Sequence, residues 1–338
     1  MFRDFFKGKR IVVTGVAGVK GSWLALELLE AGSQVVGVDI KSPEPMSNFM
    51  AAGLGERITF VQGDVRHLSL MEQLLKGADG VFHLAAVALV VEARRKPLQA
   101  YATNTLGAAT VLEAIRLSDS VKYAVFVTTD KVYKSKAGEL WMETDPLFAA
   151  EPYQVSKACA EHIIADYYHT YLRQAGKRVG VGRAGNVIVG GDFYSSRRTG
   201  GAGRIFVDCF EALAEKQPPK IFTPHFTRPY TYGLDILTGY MALMSRLDCK
   251  SVDGEAFNFG PHEQHGVENG LLAAKICELW GEGIMWECGP ARDEPFEKQA
   301  LSWDKARERL GWQPAYTLHE GLCATVRWYR ACGACQRL

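Results

Sequence analysis

Short runs of β-branched and aromatic residues recur through the first half of the chain, at positions 11–14, 35–39, 58–61, 81–84 and 124–127. Between several of them lie segments whose apolar positions repeat at helical spacing, 22–31 and 98–117 among them. An apolar run without polar alternation reads as a strand buried on both faces. Strands alternating with helices read as a parallel sheet covered on each side. A long helix from Tyr153 to about Gln174 and a strand at 179–181 complete this half. Beyond Gly185 the texture changes. Gly190, Gly191, Gly200, Gly201 and Gly203, with Arg197 and Arg198 among them, read either as a mobile surface loop or as a loop that closes over an anion. Helices are expected near 206–214, 234–247 and 267–279, with two more at the C-terminal end.

Composition narrows the class. The 338 residues carry 39 basic and 38 acidic side chains, a formal charge of +1, and 47% are hydrophobic, which excludes a wholly disordered chain. A balanced charge gives no general attraction to nucleic acid or to an acidic membrane, so neither is expected as a partner, and an anionic ligand needs a local site. No stretch reaches the roughly 18 apolar residues that span a bilayer, and no apolar run follows the basic N-terminus, so a cytoplasmic protein is expected. The eight cysteines are scattered and are expected as thiols. Cys332 and Cys335 form a C-x-x-C pair, read as an incidental tail pair or a metal or redox site; with no second pair at zinc spacing, no metal is expected.

The first strand runs into Thr14-Gly15-Val16-Ala17-Gly18-Val19-Lys20-Gly21 and then into a helix. Glycines at 15, 18 and 21 allow a tight turn and a close approach of backbone N–H groups, Val19 included, to a pyrophosphate at the positive end of that helix. Asp39 closes the second strand, where a carboxylate accepts from the ribose hydroxyls of a dinucleotide and repels a 2′-phosphate. NAD is therefore expected over NADP, with Lys41 pulling the other way. The remaining alternative makes Asp39 a turn residue.

Tyr153 and Lys157 stand four apart at the start of a predicted helix and share one face. A nearby ammonium and a nicotinamide cation favour the phenolate, which makes Tyr153 a usable base. Such a pair is also common on helix surfaces; its place after the fifth strand favours the chemical reading. At the end of that strand come Thr128, Thr129, Asp130 and Lys131, where ligands of open α/β sheets bind. They read as an acid and a base beside a hydroxyl, or as an ion pair in a turn.

On these residues the chain resembles the extended short-chain dehydrogenase/reductases that act on nucleotide sugars, in the 4,6-dehydratase branch and most nearly the CDP-glucose 4,6-dehydratases. The resemblance spans nearly the whole chain. Its most specific pieces are Gly18-Val19-Lys20-Gly21-Ser22-Trp23-Leu24, Thr128-Thr129-Asp130-Lys131-Val132-Tyr133 and Pro152-Tyr153-Gln154-Val155-Ser156-Lys157, followed by Arg183-Ala184-Gly185-Asn186-Val187-Ile188 and Asn258-Phe259-Gly260-Pro261. It implies a Rossmann-like doubly wound parallel sheet at 1–185, rejoined by 231–259, and a smaller mixed α/β substrate lobe from 186–230 and 260–338. It implies NAD, a nucleotide-diphosphate sugar as substrate, and a homodimer.

The resemblance also implies roles. Tyr153, assisted by Lys157 and Thr129, deprotonates the sugar 4-hydroxyl as hydride leaves C4; Asp130 protonates the departing 6-hydroxyl; Lys131 stands where related enzymes carry a glutamate base, and acts either as that base or electrostatically. Asp64 and Val65 match the adenine-side turn, Ala85 and Ala86 the nicotinamide side, and Asn104 a structural asparagine. Asn186, Arg204 and Arg228 are expected at the substrate diphosphate. Departures fall on the sugar side. Val87 and Val91 replace a polar Gln and an Arg of the family pattern, and Arg228-Pro229-Tyr230-Thr231-Tyr232 replaces Arg-Pro-Trp-Gln-His. Val87 is therefore expected at an altered sugar pocket, with reaction type more legible than substrate.

Overall fold

The computed structural model describes residues 2–134, 139–199, 203–290 and 297–331; Gly200, Gly201 and the Cys332/Cys335 pair lie outside them. Seven strands, β1 (Arg10–Thr14), β2 (Gln34–Asp39), β3 (Thr59–Gln62), β4 (Gly80–His83), β5 (Tyr123–Val127), β6 (Arg178–Ala184) and β7 (Ala256–Phe259), make one parallel sheet in the order β7-β6-β5-β4-β1-β2-β3. The order turns back between β1 and β4, so a crevice opens at their carboxyl ends.

The helices are α1 (Val19–Glu30), α2 (Leu68–Leu75), α3 (Gly107–Leu117), α4 (Pro152–Tyr167), α5 (Ile205–Ala214), α6 (Gly233–Arg246), α7 (Asn269–Trp280) and α8 (Leu318–Ala331), with shorter turns between. Alternate residues of each strand feed opposite cores. Ile11, Val13, Phe82 and Val125 pack on one side with Leu24 of α1 and Tyr240 of α6. Val12, Val81, Ala124 and Phe126 pack on the other with Met71 of α2, Val111 of α3 and Ile164 of α4. Both faces are covered, which is why these strands are apolar throughout. A third core joins α5, α7 and α8 through Phe206, Phe210, Ile276, Trp280 and Tyr329, with the Phe210 and Tyr329 rings stacked at 4.5 Å.

Two helices depart from the regular periodicity. The stretch expected as one helix over 98–117 is α-helical at Pro97–Ala100, π-helical at Tyr101–Leu106 and α-helical again in α3; α4 likewise widens to a π turn at Tyr168–Leu172. The first widened turn carries buried Asn104 toward the site. Among the described residues no helix is long and apolar enough to cross a membrane.

Candidate active site

The turn after β1 is built for close approach. Gly15 has φ +72°, and a Cβ there would lie 2.8 Å from the Ala85 nitrogen; one on Gly21 would lie 2.1 Å from the Gly15 oxygen. Gly18 caps α1, so the first N–H groups of that helix face the crevice. Asp39 holds the turn from the side, accepting from Ala17 N at 3.1 Å and Lys41 N at 3.2 Å, and burial raises its carboxyl above the usual range. A dinucleotide fits this cradle: two positions reject any side chain, and a carboxylate stands at the ribose end.

Beneath it, Thr14 ties β1 to β4. Its hydroxyl oxygen accepts from Leu84 N and Ala85 N, each at 3.1 Å, and lies 2.8 Å from His83 Nδ1. With both lone pairs engaged, its hydrogen points at Nδ1, which requires a neutral imidazole. Burial, with Lys157 nearby, pushes His83 down to about 3. Ala85 and Ala86 follow at this junction. Asp64 and Val65 follow β3 at the sheet edge; Asp64 is paired with Arg66 at 2.5 Å, which lowers its carboxyl, and Val65 is buried in the core.

The catalytic residues expected from the sequence come together at the carboxyl end of β5. Glu151 caps α4 by accepting from Tyr153 N at 3.1 Å and Gln154 N at 2.8 Å, and Pro152 opens the helix, which fixes Tyr153 in its first turn. Lys157, one turn on, donates to the Val127 carbonyl at 2.9 Å and is buried. Burial lowers its amine to about 8 and raises the Tyr153 phenol to about 12, an effect that hydrogen bonding to Thr129 opposes. Thr129 also donates to Asp130 Oδ1 at 3.1 Å, so one hydroxyl stands between the phenol and the carboxylate. Asp130 is fully buried, and its Oδ2 has no hydrogen-bond partner among the described residues. Lys131 donates to Asp130 Oδ1 at 3.3 Å and to Asn186 Oδ1 at 3.0 Å.

Supporting bonds explain other parts of the sequence signature. Asn104 accepts from Val87 N at 2.8 Å and donates to Ser156 Oγ at 2.9 Å, locking the strip after β4 against α4. Arg183 and Glu161 form a buried ion pair; Glu161 also accepts from Thr128 at 2.6 Å, and Arg183 donates to Tyr133 at 2.6 Å. These bonds brace the end of β5 from behind.

A cleft of about 350 Å³ lies in front of these groups, lined among others by Thr129, Lys131, Tyr153, Asn186 and Arg204. That volume lies within the usual range for small-molecule sites. Arg204 pairs with Asp192 at 2.6 Å at its edge. The arginines of the glycine-rich stretch do not face it: Arg197 pairs with Glu215, just past α5, and Arg198 with Glu211 of α5. Two expected substrate residues also stand apart. Val87 is buried with Ala93 and Ala100 against Tyr153, and it is Ala88, Leu89, Val90 and Val91 that form the wall. Arg228 pairs with Glu297 at 2.6 Å, away from the cleft lining.

The sequence reading gave no role to Lys20, the second residue of α1. It lines the cleft, and its amine lies deep although part of its stem remains exposed. Burial and the cations Arg204, Lys157 and Lys131 bring it down to about 7, against a smaller opposing pull from Asp130. The available signal was a lysine inside a turn whose other residues are small or apolar.

Fold and site together define a Rossmann-like enzyme of the extended short-chain dehydrogenase/reductase class. The chain belongs to the GDP-mannose 4,6 dehydratase family, whose model matches residues 12–248. It is 32% identical to a CDP-glucose 4,6-dehydratase of Salmonella typhimurium over 97% of this chain and 92% of that one. It is 28% identical to a dTDP-glucose 4,6-dehydratase of Xanthomonas campestris pv. campestris over 94% of this chain and 92% of the relative. The solved UDP-glucuronic acid 4-epimerase from Bacillus cereus, in complex with UDP-glucuronic acid and NAD, superposes with a TM-score of 0.79 at 25% identity, covering 95% of this chain and 99% of that one.

Proposed function

We propose that this protein is an NAD-dependent nucleotide-sugar 4,6-dehydratase, with CDP-glucose the first substrate to try. The observation that carries the reading is Thr129 standing between Tyr153 and a buried carboxylate, Asp130, with Lys131 alongside. Moving hydride at C4 alone calls for the phenol and the lysine; an acid in the same hydrogen-bonded set is what expulsion of water adds. NAD, held by the turn of Gly15, Gly18, Val19 and Gly21 and by Asp39, with Asp64, Val65, Ala85 and Ala86 along its length, supplies the hydride acceptor for C4 and the donor for C6.

The side chains then divide the proton work. Tyr153, as phenolate, takes the proton of the sugar 4-hydroxyl, with the Lys157 ammonium beside it. Through Thr129 that proton reaches Asp130, which gives it to the departing 6-hydroxyl as water. The ketone formed at C4 acidifies the C5 proton. Asn186 and Arg204 hold the diphosphate. Charge-assisted contacts of this kind favour arginine. The Asp130→Asn variant tests the division: C4 oxidation, seen as cofactor reduction, persists while loss of water stops.

A 4-epimerase reading is favoured by the 4-epimerases among the relatives and solved neighbours, the Bacillus cereus enzyme included. It leaves Asp130 and Lys131 without a task. A homodimer belongs to the proposal. Leu98, Leu106 and Leu117 leave an exposed apolar line along the 97–117 segment that pairing with a second copy covers.

A further inference from the structure

In the string Gly21-Ser22-Trp23-Leu24, the dinucleotide cradle accounts for the glycine and the core for the leucine. Ser22 and Trp23 have another task. Trp23 stands one turn into α1 and donates from Nε1 to the Gly190 carbonyl at 2.8 Å. Ser22 Oγ accepts from Asn48 Nδ2 at 3.2 Å, and a Cβ on Gly191, at φ +82°, would lie 2.7 Å from Asn48. A Cβ on Gly190 would lie 2.2 Å from the Trp328 ring of α8. Tyr329 of the same helix donates its hydroxyl to the Asp192 carbonyl. The turn 190–192 is therefore clamped between α1 and α8.

Asp192 carries this fixture to the cleft. Its side chain is 2% exposed; Oδ1 accepts from Tyr194 N at 3.1 Å, and Oδ2 stands 2.6 Å from Arg204 Nε. The main chain of Arg204 is held as well. Its N–H donates to Tyr194 O at 2.7 Å, and its carbonyl accepts from Val207 N and Asp208 N as α5 begins. An ion pair through Nε leaves both terminal nitrogens of the planar fork for a second anion, a division that lysine cannot make. Arg204 lines the cleft, so that anion is a ligand of the cleft.

We infer that Asp192 is a positioning residue which aims Arg204 at the substrate diphosphate, and that Trp23 holds Asp192 in place through the turn at Gly190. The inference rests on the nucleotide-sugar part of the proposed function. A long side chain ordered before binding loses less entropy when its ligand arrives. Both Asp192 oxygens are engaged, so its charge is spent on the arginine and not on the incoming anion. One helix then serves two ligands. The start of α1 faces the dinucleotide, and its flank, through Trp23, fixes the arginine for the nucleotide sugar.

The test is calorimetry on wild type, Asp192→Asn, Trp23→Phe, Arg204→Gln and the Asp192→Asn/Arg204→Gln pair. Each is titrated with NAD⁺ and then, at saturating NAD⁺, with CDP, dTDP, UDP and GDP. Asp192→Asn weakens the nucleoside diphosphate that wild type binds by about 10-fold or more, as loss of a bond to a charged group does. Trp23→Phe weakens it by about 2- to 10-fold, as loss of one neutral hydrogen bond does. NAD affinity stays unchanged in both, although Trp23 stands on the helix that faces the dinucleotide. With Arg204→Gln in place, Asp192→Asn has no further effect on the diphosphate, a coupling that a structural role alone does not produce. On the nucleotide hexose, KM rises by more than kcat falls. Tighter diphosphate binding in Asp192→Asn overturns the assignment and makes Asp192 a repelling charge. Additive losses with Arg204→Gln, or an equal loss of NAD affinity, overturn it as well and leave the turn a structural feature. The expected pattern in a protein that dehydrates no hexose upholds the assignment and overturns the dehydratase reading alone. A wild type that binds no nucleoside diphosphate overturns both.

Discussion

Lys131 meets Asn186 across the cleft, its ammonium donating to the side-chain carbonyl at 3.0 Å. The contact couples the end of β5 to the short strand Asn186–Ile188, which pairs with Tyr230–Tyr232. Substrate held at that strand therefore bears directly on the group beside Asp130. Asn186→Ala leaves Lys131 with Asp130 as its remaining acceptor. A hydrogen bond to a charged group contributes about 1.5–3 kcal/mol, so kcat is expected to fall about 10-fold or more and KM for the nucleotide sugar to rise. NAD affinity, measured by calorimetry, stays unchanged.

Burial brings Lys157 down to about 8 and raises the Tyr153 phenol to about 12. A pyridinium cation placed beside it favours the phenolate, and reduction of the ring removes that charge. The ultraviolet phenolate band is expected to appear at lower pH with NAD⁺ bound than with NADH, and the difference to vanish in Tyr153→Phe. Equal titrations with both cofactor forms would show that the ring charge does not reach the phenol.

Asp39 stands buried at the end of β2, fixed by Ala17 N and Lys41 N. A 2′-phosphate there meets a carboxylate, so wild type is expected to prefer NAD. Asp39→Ala removes the repulsion and leaves Lys41 in place. The NAD-to-NADP ratio of kcat/KM should fall by about 10- to 100-fold, or about 1.4–3 kcal/mol.

His83 links the site to stability. Its pKa falls from an ordinary 6.5 to about 3 in the fold, so the unfolded chain takes up a proton at a pH where the native state does not. Stability from this group is complete above pH 6.5 and is lost as pH falls through the window down to about 3. Urea unfolding followed across that window should show a one-proton slope that His83→Asn removes.

The parallel sheet was legible because its strands are buried on both faces and so lack polar alternation, as in Ile11-Val12-Val13 and Tyr123-Ala124-Val125-Phe126-Val127. The grouping of Thr129, Asp130, Lys131, Tyr153 and Lys157 was legible as well, since strand ends and helix starts in this topology share one edge. What stayed hidden depends on pairings that order along the chain does not encode. Arg197 and Arg198 look like anion ligands until Glu215, just past α5, and Glu211 within it are placed beside them. Val87 marks the right strip, yet its two bonds to Asn104 turn the side chain inward and leave the cleft to the four residues that follow. The π turn at Tyr101–Leu106 lies inside the stretch read as one regular helix over 98–117, because apolar spacing does not report a local widening. Lys20 sits in a turn read for its glycines, and only the distant Arg204, Lys157 and Lys131 give its amine a special environment.

The central claim is that this cleft oxidises C4 and expels the C6 oxygen in one site. The most direct measurement incubates the purified protein and NAD⁺ with CDP-, dTDP-, UDP- and GDP-hexoses and follows product mass. Loss of one water from a donor, without net change in the cofactor, is the predicted result. Isomerisation at constant mass, with Asp130 and Lys131 intact, would contradict it.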